Sequence, residues 1–98
     1  LTVHKVTVAG DVGPIINLSG AENQCQGAVL DGLSTTLGLK LSIEDGVIQE
    51  NNFHQYPLLR NNKAPDVAVH FIESDFRPTG LGEPALPPLA AAICNAIY

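Results

Sequence analysis

The chain has 98 residues and a net charge of −5 at pH 7; 45% of its residues are hydrophobic and 15% are charged. Its five Lys and Arg residues are scattered, which excludes a nucleic-acid-binding surface and a polybasic membrane patch, because both need clustered positive charge. The charged share is below the usual level of about 25%, so we expect surfaces covered by further chain or by a partner subunit. With no Met and a strand-like start, the sequence is expected to be a piece of a larger protein.

The first predicted elements are a strand and a long helix. Residues Thr2–Ala9 are rich in Val and Thr, which predicts a strand. Ser19 and Glu22 have the spacing of a capping box and predict a helix that begins at Ser19. This helix is predicted to end near Leu37, with Gly38 as its terminator.

Two glycines and one glutamine stand out within that helix. Gly27 and Gly32 each cost about 1 kcal/mol relative to Ala in a helix interior. We therefore expect backbone or a ligand to pass close to them. Gln24 lies near the start of the helix, where polar or anionic ligands are commonly bound.

A hairpin and a long connection follow. The alternating segments Leu39–Ile43 and Val47–Gln49 flank Asp45-Gly46, which is a strong signal for a two-residue hairpin turn. Residues 51–65 form a long polar connection. Connections of this length in a small domain are usually functional or packed against other chain.

Asp66–Glu73 is predicted as the last strand and Ala85–Tyr98 as the last helix. The order strand, helix, hairpin, strand, helix predicts an α+β fold. In this fold two helices pack on one face of a small mixed sheet. We expect residues 1–98 to form a single domain.

The cysteines and histidines show no metal-binding pattern. Cys25 and Cys94 lie in the two predicted helices and are expected to be buried as small hydrophobic residues. A disulfide between them is the less favoured alternative. His4 and His70 fall in strands, whereas His54 lies in the long connection and could line a site.

One glutamate precedes the last helix in a glycine-rich stretch. Pro84 suits the first helical position, which places Glu83 at or beside the N-cap. There the helix dipole favours an ionised carboxylate, which could act as a general base or could simply cap the helix. Gly80 and Gly82 are expected to allow backbone angles or close approaches that a Cβ would prevent. These patterns alone favour the capping role.

Four stretches of the chain together resemble the molybdenum hydroxylases, which include xanthine dehydrogenase and aldehyde oxidase relatives. The resemblance is greatest to isoquinoline 1-oxidoreductase β-subunit-like proteins. It rests on Gly10–Asn17, Gln24–Ala28, Asn52–Tyr56 with Pro65–Val67, and Gly80–Pro84. The motifs occur in the family's order and extend over nearly the whole chain. The chain is thereby identified as a C-terminal fragment of a molybdopterin-binding large subunit.

The resemblance implies roles for four residues. Glu83 would be the general base beside the metal in the hydroxylation of an aldehyde or N-heterocycle at an electron-poor carbon, with oxygen from water. Gln24 would hydrogen-bond the pterin or the oxo region of the metal. Gly27 and Gly82 would give the cofactor clearance. No residue of the chain is expected to ligate the metal.

The sequence departs from the commoner family pattern at two places in the first helix. Gln26 stands where many relatives have Glu, and Asp31-Gly32 replaces a second Gln-Gly pair. We expect these differences to reflect a subfamily. They leave the outer contacts of the helix open.

The resemblance also implies a cofactor and partners. Molybdopterin, as its cytosine dinucleotide, would lie between this chain and the remainder of the large subunit. Iron–sulfur clusters would belong to a small partner subunit, and the substrate would be a small molecule. The isolated fragment is expected to bind no cofactor and to be inactive. Localisation stays open between cytoplasm and periplasm. The alternatives are a non-catalytic packing or interaction module and a small-ligand binding domain.

Overall fold

The computed structural model describes residues 1–98 and contains four strands and two helices. In chain order these are β1 (Lys5–Gly10), α1 (Leu18–Leu37), β2 (Ile43–Glu44), β3 (Val47–Ile48), β4 (Asp66–Phe71) and α2 (Pro87–Ile97). The predicted order of elements and the α+β class are confirmed. The mixed strand pairing is divided between two separate sheets, a parallel pair β1–β4 and an antiparallel pair β2–β3.

The parallel pair carries a face of valines. Val6 lies opposite Val67, and Val8 lies opposite Val69. Because successive side chains on a strand point to opposite faces, these four valines share one face of the sheet. A parallel pair requires a crossover connection, and here the crossover contains α1, the hairpin and the long connection.

The core lies between this sheet and both helices. Its buried members are Val29 and Leu33 of α1 and Leu89 and Ile93 of α2. Partly buried hydrophobic residues from the strands, the segment before β1 and the long connection pack against them: Val3, Val6, Val8, Leu59 and Val67. Neither helix has the length and hydropathy that a membrane span requires.

The first helix begins earlier than its sequence pattern predicts. Its N-cap is Asn17, whose Oδ1 accepts the backbone N–H of Gly20 at 2.9 Å. Ser19 lies inside the helix and donates its hydroxyl to Asn17 Oδ1 at 3.1 Å. The prediction of Ser19 as N-cap is therefore wrong, since Asn caps a helix at least as well as Ser. Gly38 is the C-cap, as predicted, and its N–H donates to Ser34 O at 3.0 Å.

The hairpin turn has the predicted residues, but its strands are short. Asp45 has φ 50° and Gly46 has φ 78°, the left-handed values that both central residues of a type I′ turn adopt. Ladder pairing covers only Ile43–Glu44 and Val47–Ile48. Beyond the ladder, the N–H of Gln49 donates to Ser42 O at 3.0 Å.

The long connection over residues 51–65 packs against α1, as expected. The backbone N–H of Leu59 donates to the hydroxyl oxygen of Ser34 at 2.9 Å. Ser34 is buried, and its hydroxyl thereby satisfies a backbone donor of the connection. A short 3₁₀ turn covers Asn61–Lys63 before β4 begins.

The two cysteines have different environments, and both are free. Cys25 is buried in α1, where burial raises the pKa of its thiol. Cys94 is exposed, so its predicted burial is wrong. It follows the core residue Ile93 directly, and one residue along a helix turns a side chain by about 100° away from the buried face.

Candidate functional site

An open cleft of about 580 Å³ lies between α1 and the segment that leads into α2. Gln24, Gly27, Gly82 and Glu83 all line this cleft, which we call the α1–α2 cleft. Its other lining residues are Ala28, Asp31, Leu86 and Pro87. The structure thus brings together the four predicted site residues from two distant parts of the sequence. His54 is not among the lining residues.

One face of α1 forms the first wall of the cleft. Gln24, Gly27, Ala28 and Asp31 are three or four residues apart, a spacing that places them on the same helical face. Gln24 and Asp31 are exposed, whereas Ala28 is buried. A Cβ built on Gly27 would have no neighbouring atom within 4 Å. The wall therefore presents a carboxamide, a stretch of bare backbone and a carboxylate.

Asp31 also lines the cleft, where no sequence motif predicted it. The available signal was its position one turn beyond Gly27 on the face that contains Gln24. With Glu83 it places two carboxylates in the lining, and no Lys or Arg lines the cleft. The cleft is consequently acidic.

Glu83 forms the second wall, but it lies in a turn before α2. The helix begins at Pro87 with Leu86 as its N-cap, and the backbone oxygen of Glu83 accepts the N–H of Leu86 at 2.9 Å. The prediction of Pro84 at the first helical position is wrong. A helix that began there would need N–H donors at Pro87 and Pro88, which have none.

The Glu83 carboxylate is exposed and does not cap α2. No side-chain hydrogen bond caps the N-terminus of this helix, and none of the side-chain hydrogen bonds of the chain involves Glu83. The capping role favoured by local pattern is therefore wrong. The carboxylate is available as a hydrogen-bond acceptor at the edge of the cleft.

The two glycines before Glu83 show neither the positive φ nor the close backbone contact expected of them. Neither Gly80 nor Gly82 has a positive φ, and a Cβ on either would meet nothing within 4 Å. The absent side chain of Gly82 does leave its part of the cleft wall bare. The expected close approach of backbone occurs at Gly32, where a Cβ would lie 3.3 Å from Leu86 O.

The sequence matches the family of molybdopterin cofactor-binding domains over residues 1–65, and the chain belongs to this family. It is 35% identical over 96 residues to isoquinoline 1-oxidoreductase subunit beta of Brevundimonas diminuta, covering 98% of this chain and 12% of that protein. It is 36% identical over 98 residues to the membrane-bound aldehyde dehydrogenase (pyrroloquinoline-quinone) of Gluconacetobacter polyoxogenes, covering 100% and 13% respectively.

The fold resembles that of a solved enzyme. The crystal structure of quinoline 2-oxidoreductase from Pseudomonas putida 86 superposes with a TM-score of 0.85 at 22% identity, covering 94% of this chain and 12% of that one. The chain spans 12–13% of the length of the two curated relatives. The family expected from the four motifs is confirmed. Gln24 and Gly27 lie within the matched residues 1–65, whereas Gly82 and Glu83 lie beyond them.

Proposed function

We propose that this chain is a single C-terminal domain, residues 1–98, of the molybdopterin-binding subunit of a molybdenum-dependent hydroxylase. In this proposal it supplies one wall of the cofactor pocket and a general base. The observation that supports it most is the meeting of Gln24, Gly27, Gly82 and Glu83 at one cleft, in a chain of the molybdopterin cofactor-binding family.

The lining of the α1–α2 cleft fits the metal-bearing end of molybdopterin better than its phosphate. Gly27 and Gly82 leave bare backbone, against which a bulky group can lie. The carboxamide of Gln24 offers both donors and an acceptor. The carboxylates of Asp31 and Glu83, with no cation in the lining, would repel a phosphate. We therefore assign the phosphates and the cytosine nucleotide to chain outside these 98 residues.

The bound cofactor supplies the two-electron redox chemistry of the hydroxylation, for which water is the oxygen source. The contribution of this chain is acid–base chemistry and positioning. Glu83 accepts a proton on a carboxylate oxygen, a function that needs an ionised acid within hydrogen-bond reach of the reacting group. Gln24 orients the polar edge of the cofactor through its carboxamide.

The proposed substrate is an aldehyde or a nitrogen heterocycle with an electron-poor carbon. The names of the two curated relatives, an isoquinoline oxidoreductase and an aldehyde dehydrogenase, support both classes. We further propose that electrons leave through iron–sulfur clusters on a small partner subunit. The subunit designation of the isoquinoline enzyme is compatible with such an assembly.

The test uses the intact protein that contains this chain. Glu83→Gln should lower kcat by roughly 10²–10⁴-fold, the usual contribution of a general base, while the molybdenum content stays unchanged. Glu73→Gln is the matched control, because it removes an exposed carboxylate that does not line the α1–α2 cleft. Normal turnover by the Glu83→Gln protein would show that the assigned role is wrong.

A non-catalytic packing module is the second candidate, and the exposed apolar surface favours it. Only 11 of the 98 residues are buried, and Ile43, Val47 and Ile48 of the hairpin are all at least half exposed. Large exposed apolar patches usually mark a surface that another chain or domain covers. Metal analysis separates the two candidates, because a packing module would purify without molybdenum.

A further inference from the structure

The loop after β1 runs beside the segment that leads to Glu83. The Gly10 backbone oxygen accepts the N–H of Ile72 at 2.9 Å, just beyond the parallel ladder. Farther along, the Val12 backbone oxygen accepts the N–H of Thr79 at 3.1 Å. The two segments are therefore joined at two points, and the second bond lies four residues before Glu83.

Asp11 joins the same two segments through its side chain. Its Oδ1 accepts the N–H of Gly13 at 3.2 Å, which forms an Asx-type turn. The same oxygen accepts the hydroxyl of Ser74 at 2.5 Å. Hydrogen bonds to an ionised carboxylate are stronger than neutral ones. One carboxylate oxygen thus holds its own turn and the facing segment together.

Gly13 makes the closest backbone contact between the segments. It is buried and has φ 74°, in the left-handed region. A Cβ on Gly13 would lie 2.6 Å from the backbone oxygen of Phe76 and 3.1 Å from that of Arg77. Only glycine satisfies both the backbone angle and the spacing. We call the contacts of Asp11–Gly13 with residues 74–79 the loop clasp.

We propose that the loop clasp positions Glu83, with Asp11 as the positioning residue that holds it closed. Glycines on both sides of Leu81 make the segment after Thr79 flexible when free. The clasp fixes the start of this segment at Thr79, and the packing of Leu86 against Gly32 fixes its end. Glu83 lies between the two anchors, so its reach into the α1–α2 cleft depends on both.

This inference rests on the proposed role of Glu83, and its test uses the intact protein. Asp11→Ala should lower kcat roughly 10–100-fold with little change in KM, because misplacing a catalytic group by about 1 Å can cost about 10²-fold. Molybdenum content should stay unchanged. Amide hydrogen exchange of Thr79 and residues 80–83 should become at least several-fold faster. Asp11→Asn should keep kcat and the amide exchange rates close to those of the wild type, since its Oδ1 still accepts hydrogen bonds.

A double variant separates positioning from general damage. If Asp11 acts through Glu83, adding Asp11→Ala to Glu83→Gln should lower kcat no further. If Asp11→Ala lowered kcat by the same factor in the wild type and in Glu83→Gln, the positioning role would be overturned. Unchanged amide exchange at Thr79 would overturn the clasp. Full activity of Glu83→Gln alone would instead refute the proposed function. Should Asp11→Ala fail to fold, Ser74→Ala provides the same readouts, because it removes the cross-segment bond and keeps the Asx turn.

Discussion

Gly32 of α1 lies directly against Leu89 of α2: a Cβ on Gly32 would be 3.0 Å from Leu89 Cδ2. This Cβ on Gly32 would also lie 3.3 Å from the backbone oxygen of Leu86. Gly27, in the same helix, has no such neighbour and borders the α1–α2 cleft. The two glycines therefore differ in what they accommodate. Gly32 permits the helix packing that anchors the turn of Glu83, and Gly27 leaves space at the cleft.

Gly32→Ala should destabilise the chain by about 1 kcal/mol. The helix gains about 1 kcal/mol from replacing Gly by Ala, but overpacking a filled position costs about 1–3 kcal/mol. The Leu86 oxygen resists movement because it accepts the N–H of Leu89 at 3.2 Å. Chemical denaturation of the wild-type and variant chains measures the difference. A more stable variant would show that α2 shifts freely.

Gly27→Ala should have the opposite effect on stability. With no atom within 4 Å of the new methyl group, the variant should be more stable by up to about 1 kcal/mol from helix propensity. In the intact protein the same methyl should reduce molybdenum content, because it occupies space proposed for the cofactor. Greater stability together with full molybdenum loading would place the cofactor away from Gly27.

Ser34→Ala should destabilise the chain by about 1 kcal/mol, because a partly buried donor loses its acceptor. The unsatisfied donor is the N–H of Leu59, whose exchange with solvent should become faster. Thr35→Ala is the matched control, since it removes an exposed hydroxyl from the neighbouring position and should change stability by less than about 0.5 kcal/mol. Equal effects of the two substitutions would argue against the Ser34–Leu59 bond.

Asn17→Ala should cost about 1 kcal/mol, the typical loss for an N-cap residue. Ser19→Ala should cost less, because Ser19 caps no backbone N–H and only donates to the Asn17 side chain. Thermal or chemical denaturation of both variants tests the assignment. A larger loss for Ser19→Ala would restore Ser19 as the N-cap.

The hairpin should weaken in acid. The Ser42 N–H donates to the Glu50 carboxylate at 2.7 Å and lowers the pKa of Glu50. Because the folded pKa lies below the unfolded one of about 4.3, this stabilisation is present above that pH and is lost as pH falls through the lowered pKa. NMR titration of the Ser42 amide measures it. Glu50→Gln should abolish the response, whereas Glu44→Gln, in the same hairpin, should preserve it.

Short-range chemistry accounts for the features that the sequence predicted well. The Asp45-Gly46 turn, the end of α1 at Gly38 and the order of elements follow from residues within a few positions of one another. The predicted start of α2 was wrong because Pro87 and Pro88 lack the N–H that a helix beginning at Pro84 would need. Local pattern also marked Gln24 and Gly27 as candidate ligand contacts, but the proposed roles of Gln24, Gly27, Gly82 and Glu83 came from family resemblance, since local pattern favoured capping for Glu83.

By itself the sequence determined the order of the elements, the α+β class and the family of this chain, because backbone preferences and hydrophobic periodicity are local properties and the order of motifs is read along the chain without its packing. Only the tertiary structure decided that Gln24 and Glu83 share a cleft, that Asp31 joins them, and that Asp11 bonds Ser74. These relationships connect residues far apart in the chain. Their geometry depends on how α1, α2 and the parallel strands pack together, and that packing comes from burying Val29, Leu33, Leu89 and Ile93 in one core.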